Sequence, residues 1–244
     1  MDGIAHKEYL RERLDPKPED RFYLHLSDLL LAIRDLLPPN AAKVLDYGCG
    51  GSPYRPLFGE CTYHRADMSG ENLDFQFSPD ATLPAELGGY DLVLSTQVLE
   101  HVEDPTTYLR ECYRVLKPSG NLLLTTHGLF EEHPCPTDYW RWTSFGLHKI
   151  IEEAGLRVVR SRKITTGPRA AIFLAERQID FLCSRPVGLY GYLLSSGIRT
   201  VRRAGWRPLH VTSDAMFEKN RIVHSDETGF GHEIFIAIGI LATK

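Results

Sequence analysis

Residues 43–54 read KVLDYGCGGSPY, and this stretch decides the fold. An apolar run climbs through Val44 and Leu45 to Asp46, then breaks at Gly48 and Gly50, with Gly51 adjacent. A strand that ends in glycines can turn tightly and bring its backbone close to a ligand. Working outward, CTYHRAD (61–67) supplies a second strand, LDFQF (73–77) a third, and GYDLVLST (89–96) a continuous apolar strand of the kind buried on both faces. PTTYLRECYRVLKPSG (105–120) reads as a helix opened by Pro105 and stopped at Pro118-Gly120. NLLLTTH (121–127) is another buried strand, TSFGLHKIIEEAGL (143–156) a helix and RVVRSRKI (157–164) a strand. Upstream, YLHLSDLLLAIRDLLPPN (23–40) has helical spacing and ends at Pro38-Pro39.

This alternation predicts an α/β fold: a doubly wound, mostly parallel, seven-stranded sheet. The expected organisation is an N-terminal helical segment (1–40), a core (41–167), a helical insert serving as lid or dimer region (168–231) and a final core strand (232–244). One joint fits poorly. Only Met68 to Asn72 separate the second and third strands, whereas a parallel crossover normally takes about a dozen residues.

The totals narrow the function classes. With a net charge of −4 and its basic residues scattered, the chain does not suit a nucleic-acid binder that works by neutralising phosphates. Five separated cysteines, without a CxxC pair or ligand spacing, predict reduced thiols, no metal and a cytoplasmic setting. The N-terminus lacks the apolar core of a signal peptide, and IFIAIGILA (234–242) is about half the length of a membrane span.

By itself the GxG of Gly48 and Gly50 reads equally as a tight strand-to-helix turn or as a ligand cradle. Two acids at later strand ends favour the cradle. Asp67 follows Asp46 by about 20 residues, where a carboxylate accepts ribose hydroxyls. Asp80 could accept the amino hydrogen of an adenine. Ser52-Pro53 stand where a dinucleotide site would place its third glycine, and Asp46 beside the turn repels phosphate. An amine or sulfonium suits that acid better, and S-adenosylmethionine (SAM) carries both.

VLDYGCGG (44–51), RAD (65–67), SPDATLP (78–84), YDLVLSTQVLEHVEDP (90–105), YLRECYRVLKPSGNLLLTTH (108–127) and LHKIIEEAGLRVV (147–159) together resemble the class I SAM-dependent methyltransferases, nearest the quinone-biosynthesis group known as methyltransferase type 11. The resemblance implies that Gly48 and Gly50 pass under the methionine portion with Asp46 supporting the turn. It further implies that Asp67 binds the ribose, that Met68, Asp80 and Ala81 border the adenine, and that Gln97 lines the methionine side. His101, the histidine of the EH pair, would lie near the cofactor, or alternatively would be bonded to backbone.

Methyl transfer to a hydroxyl needs alignment, exclusion of water and a route for the proton. The stretch after the fifth strand, GLFEEHPCPTDYWRWTSFG (128–146), is dense in groups that could meet an acceptor. His127 is the expected base and His133 the second candidate. Asp138, Tyr139, Trp140 and Arg141 could hold the acceptor, or Arg141 could pair with Asp138 inside a structural loop. HPCPTDYWRWT also resembles a subgroup associated with bacterial surface glycans. The expected reaction is SAM-dependent methylation of a small molecule, a sugar or glycan hydroxyl being the first choice. A quinone-like ring, another natural product or a catalytically silent binding protein are the alternatives. Basic, apolar residues 168–206 read as a lid or homodimer face, with peripheral contact to a membrane or an anionic acceptor as the sharper alternative. A nucleic-acid methylase is disfavoured because STQV (95–98) lacks the stretch that holds a flipped base.

Overall fold

A computed structural model describes residues 3–184, 205–224 and 233–244. One mixed eight-stranded sheet organises them. Its strands are β1 (Lys43–Tyr47), β2 (Thr62–Asp67), β3 (Phe75–Gln76), β4 (Tyr90–Thr96), β5 (Leu116–His127), β6 (Arg157–Thr166), β7 (Ile222–His224) and β8 (Phe235–Thr243). They lie in the order β3-β2-β1-β4-β5-β8-β6-β7. The first five are mutually parallel, while β8 runs antiparallel between β5 and β6.

The helices are α1 (Gly3–Leu14), α2 (Tyr23–Leu36), α3 (Pro105–Val115), α4 (Ser144–Glu153), α5 (Gly167–Ser184) and α6 (Arg207–Met216). Strand residues alternate between two cores, as the period of two requires. Leu45, Tyr47, Val93, Leu122, Leu124 and Ile240 bury one face with Leu109, Cys112, Leu147 and Ile151 of α3 and α4. Val44, Leu92, Leu94, Leu123 and Leu241 bury the other with Leu26, Leu29, Leu30, Ile33 and Leu36 of α2. Helix α3 begins where Asp104 accepts the Thr106 and Thr107 N–H groups ahead of Pro105.

The structure departs from the sequence expectation at three places. The sheet has an eighth strand, β7, which pairs antiparallel with β6 from within the expected insert. Strand β5 already starts at Leu116, so Pro118-Gly120 lie inside it and do not form a stop after α3. The short β2–β3 joint contains no helix. Strand β3 is only two residues long, and the chain doubles back on itself to pair Ala66 with Phe75. Arg65 anchors this return through its guanidinium to the Glu71 and Asn72 carbonyls and its N–H to Asp74.

The insert is tied down by charge. Arg169, fully buried in α5, pairs with Asp28 of α2 at 2.6 Å and with Asp214 of α6 at 2.7 Å. Arg177 pairs with Glu131 at 3.1 Å, and Glu176 meets His210 at 2.9 Å. These two arginines therefore serve internal packing and do not form a surface for anions. Within the stretch that suggested membrane contact Phe173 is buried while Phe181 and Leu182 are exposed, and residues 185–204 lie outside the described residues. No helix among the described residues is long and apolar enough to cross a membrane.

Candidate active site

At the carboxyl ends of β1, β2, β4 and β5 lies a cavity of about 490 Å³. This is where an open α/β sheet presents its ligand site, because the strand order reverses on either side of β1 and β4. Gly48, Gly50, Asp67, Met68, Ala81, Gln97, His101, His127 and His133 all line it. Helices α1 and α2 close the opposite wall through Tyr9, Arg13, His25 and Leu29.

The turn after β1 is built for close approach. Gly48 has φ +77°, and a Cβ there would meet both Val98 methyls at 2.6 Å. Gly50 donates its N–H to Asp67 Oδ2 at 2.7 Å, and Met68 N–H donates to Oδ1 at 2.7 Å. The Asp67 carboxylate is thus fixed at the rim of the glycine turn with lone pairs to spare. Asp46 lies beneath the turn, outside the lining, and accepts from Tyr63 Oη at 2.7 Å. Burial raises its pKa to about 6, against the pull of the Tyr63 and Ser52 hydrogen bonds.

Ala81 is held at the cavity with φ +64°, its carbonyl accepting the hydroxyl of Tyr47. Its neighbour Asp80 is exposed, accepts Thr82 N–H at 3.1 Å and is not among the residues that line the cavity. Gln97, with φ +55°, donates through Nε2 to Thr125 Oγ1 at 3.2 Å and leaves Oε1 buried without a partner. The site thus fits SAM on its own terms. It offers a glycine turn closed to a side chain at Gly48, a carboxylate at the second strand end and an orphaned acceptor for an ammonium. Gly48, Gly50, Asp67, Met68, Ala81 and Gln97 could hold the cofactor.

Beyond Gln97 the cavity turns aromatic and ends in a polar cluster. His127, at the end of β5, stacks on Phe130 with centroids 4.1 Å apart and planes 13° apart. Its Nε2 lies 3.3 Å from Glu100 Oε1. Glu100 is fully buried in the short turn of helix after β4, and its Oε2 accepts Thr126 Oγ1 at 2.8 Å. Burial raises the Glu100 pKa to about 7 and depresses that of His127 far below the usual imidazole value. His127 is therefore held neutral, while Glu100 exchanges its proton near neutrality. His25 of α2 packs 5.7 Å from His127, and its burial lowers its pKa to about 3. His101 bonds the Thr137 carbonyl through Nδ1 at 2.6 Å and meets the His133 ring edge-on.

Asp138, Tyr139, Trp140 and Arg141 do not line the cavity. Arg141 grips both Asp138 oxygens at 2.6 Å and also donates to the Phe130 and Glu131 carbonyls. Against the cost of burial, that fork holds the Asp138 pKa down to about 2. Trp140 Nε1 donates to the Val102 carbonyl, and the Tyr139 N–H donates to that of Glu100. These residues brace the loop that carries His133 and Phe130. Glu100, His25 and Tyr9 were missed from the sequence. Glu100 stands four residues after the end of β4, beside His101 of the EH pair, so its position was a usable signal.

The fold and the glycine-floored site define the class: a SAM-dependent methyltransferase. Residues 19–161 match the methyltransferase-domain family, and the chain belongs to it. It is 31% identical over 171 residues to the ubiquinone biosynthesis O-methyltransferase of Dinoroseobacter shibae, covering 55% of this chain and 69% of that protein. The namesake from Cereibacter sphaeroides is 34% identical over 112 residues, covering 38% of this chain and 45% of its own length. Among solved structures, phosphoethanolamine N-methyltransferase 2 of Haemonchus contortus superposes with a TM-score of 0.54 at 17% identity, covering 99% of this chain and 56% of that one. A SAM-dependent methyltransferase of Thermotoga maritima gives 0.54 at 17% identity over 97% and 98% of the two chains. At those identities the structural likeness concerns the fold alone.

Proposed function

We propose that this enzyme methylates a hydroxyl on a quinone-like aromatic ring. The observation that carries the reading is the acceptor end of the cavity. Phe22, His25, Phe130 and His127 line it there, and a buried carboxyl–imidazole pair stands at the end of the pocket. Planar apolar walls with few polar groups suit an aromatic ring. A sugar would leave most of its hydroxyls unpaired in such a space. The curated relatives, named as ubiquinone biosynthesis O-methyltransferases, also favour the ring over the sugar or glycan hydroxyl.

The reaction forms a bond from the acceptor oxygen to the methyl carbon, breaks that carbon's bond to sulfur and releases the hydroxyl proton. The sulfonium supplies the activated methyl group. Gly48, Gly50, Asp67 and Gln97 hold and orient the donor, the aromatic walls align the ring and exclude water, and the Glu100–His127 pair marks where the proton is lost.

The test is S-adenosylhomocysteine release with a catechol-type quinol precursor against a panel of free and nucleotide-linked sugars. The expected outcome is turnover on the ring only, and His127→Ala lowering kcat at least about 100-fold with SAM affinity retained. Methylation of a sugar in preference to the ring would overturn the proposal.

A further inference from the structure

We propose that Glu100, His127 and His133 form a binding site for one divalent transition-metal cation at the acceptor end of the cavity. One ligand atom from each of the three residues can be chosen so that all lie within 4.8 Å of one another. Two of the residues are buried and the third is half-buried, so this is not a solvated acidic patch. Two imidazoles with one carboxylate are a donor set that suits zinc, iron(II) and their neighbours, and three protein ligands leave a position open.

Three details of the geometry point the same way. Glu100 Oε1 and His127 Nε2 are 3.3 Å apart, yet Oε1 makes no hydrogen bond. Two ligand atoms at about 2.0–2.1 Å from a tetrahedral ion stand about 3.3–3.4 Å apart, so the spacing matches shared coordination. An unpartnered carboxylate oxygen at zero exposure is costly, and a cation at this point removes that cost. Finally, His133 Nδ1 faces Asp138 Oδ2 and the Glu131 carbonyl, each at 3.3 Å, which leaves Nε2 as the ligating nitrogen. A carboxylate behind a ligating imidazole is the usual outer partner of such sites.

The proposed role rests on the O-methyltransferase reading, while the site itself does not. The ring hydroxyl would take the open position, lose its proton to solvent on ligation and attack as the metal-held oxygen anion. His127 would then serve as a ligand. In the metal-free protein it would remain the proton acceptor. The sequence expectation of no metal rested on cysteine spacing, which says nothing about a carboxylate and two histidines gathered from separate loops.

Calorimetric titration of chelator-treated protein with Zn²⁺ alone tests the site. Wild type should take up about one ion per chain, and Glu100→Gln and His133→Ala should each bind at least about tenfold more weakly. His133→Ala, at a half-buried position, guards against misfolding of the Glu100 variant, and a retained SAM affinity in both reports intact cavities. Absence of Zn²⁺ binding by folded wild type, or identical isotherms in His133→Ala, overturns the site. Zn²⁺ binding without SAM binding would leave the metal site standing and remove the methyltransferase reading instead.

Discussion

His25 shows how a single side chain can be shaped by its cavity. It sits in α2 at 3% exposure with Nδ1 unpartnered, among His127, Phe130 and Phe173. Burial lowers its folded pKa to about 3, while the unfolded chain titrates it near 6.5. Between those values the unfolded state binds more protons, so this residue makes stability fall as pH drops from about 6.5 toward 3. His25→Phe should flatten that part of the urea-derived stability curve, and an unchanged acid slope would mean another group is responsible. Gly48 is the second residue with a clear expectation. A left-handed alanine costs about 1–2 kcal/mol, and its Cβ would also strike Val98. Gly48→Ala should weaken SAM binding at least about tenfold by calorimetry. Gly48, Asp67 and His127 were legible in the sequence because each stands at or just past a strand end, a cue local to the chain. His25 was not, since YLHLSDLL (23–30) reads only as a helical core face. That α2 also walls the cavity is a fact of tertiary packing.

At the scale of elements, the core strands and helices were readable because burial on both faces leaves apolar runs bounded by glycine, proline and a capping aspartate. The eighth strand was not. IVH (222–224) is three residues long and half-exposed, and it becomes a strand only because β6 offers an open edge. The insert's anchoring was likewise invisible, since Arg169 and Asp28 are far apart in sequence. Asp28 also accepts from Arg221 at 2.8 Å and from Thr165 Oγ1 at 3.0 Å, so one buried carboxylate joins α2, α5, β6 and the turn before β7. Removing Arg169 leaves the buried Asp28 carboxylate with Arg221 in place of two guanidiniums and strips Asp214 of the same partner. Arg169→Met should therefore destabilise by about 3–5 kcal/mol, and Asp28→Asn combined with Arg169→Met should recover much of that loss. Urea denaturation of the two variants checks this. A double variant no better than the single would show that the cost is packing and not charge.

For the whole molecule, the strand ends and their loops supply most of the cofactor cavity, and α1 and α2 close one wall of it. Helix α1 lies over the glycine turn, where a Cβ on Gly51 would stand 3.0 Å from His6 and 3.1 Å from Tyr9. Arg13 stacks on the Tyr9 ring at 3.7 Å, and Arg11 grips Asp20 at 2.6 and 2.7 Å, which fixes the connection from α1 to α2. Helix α2 is buried in the core and cannot be spared, whereas α1 packs on it from outside and contributes chiefly to the cavity wall. The two helices should therefore separate experimentally. Deleting residues 1–14 should leave a cooperative thermal transition within a few degrees of the full chain. It should also weaken SAM binding by about tenfold or more, since the cavity then opens to water beside Gly50 and Asp67. Partial proteolysis gives the complementary reading: SAM should protect the peptide bonds of α1 in the full chain from cleavage. A truncated protein that binds SAM as tightly as the full chain would confine the cofactor site to the sheet and assign α1 to the acceptor side alone.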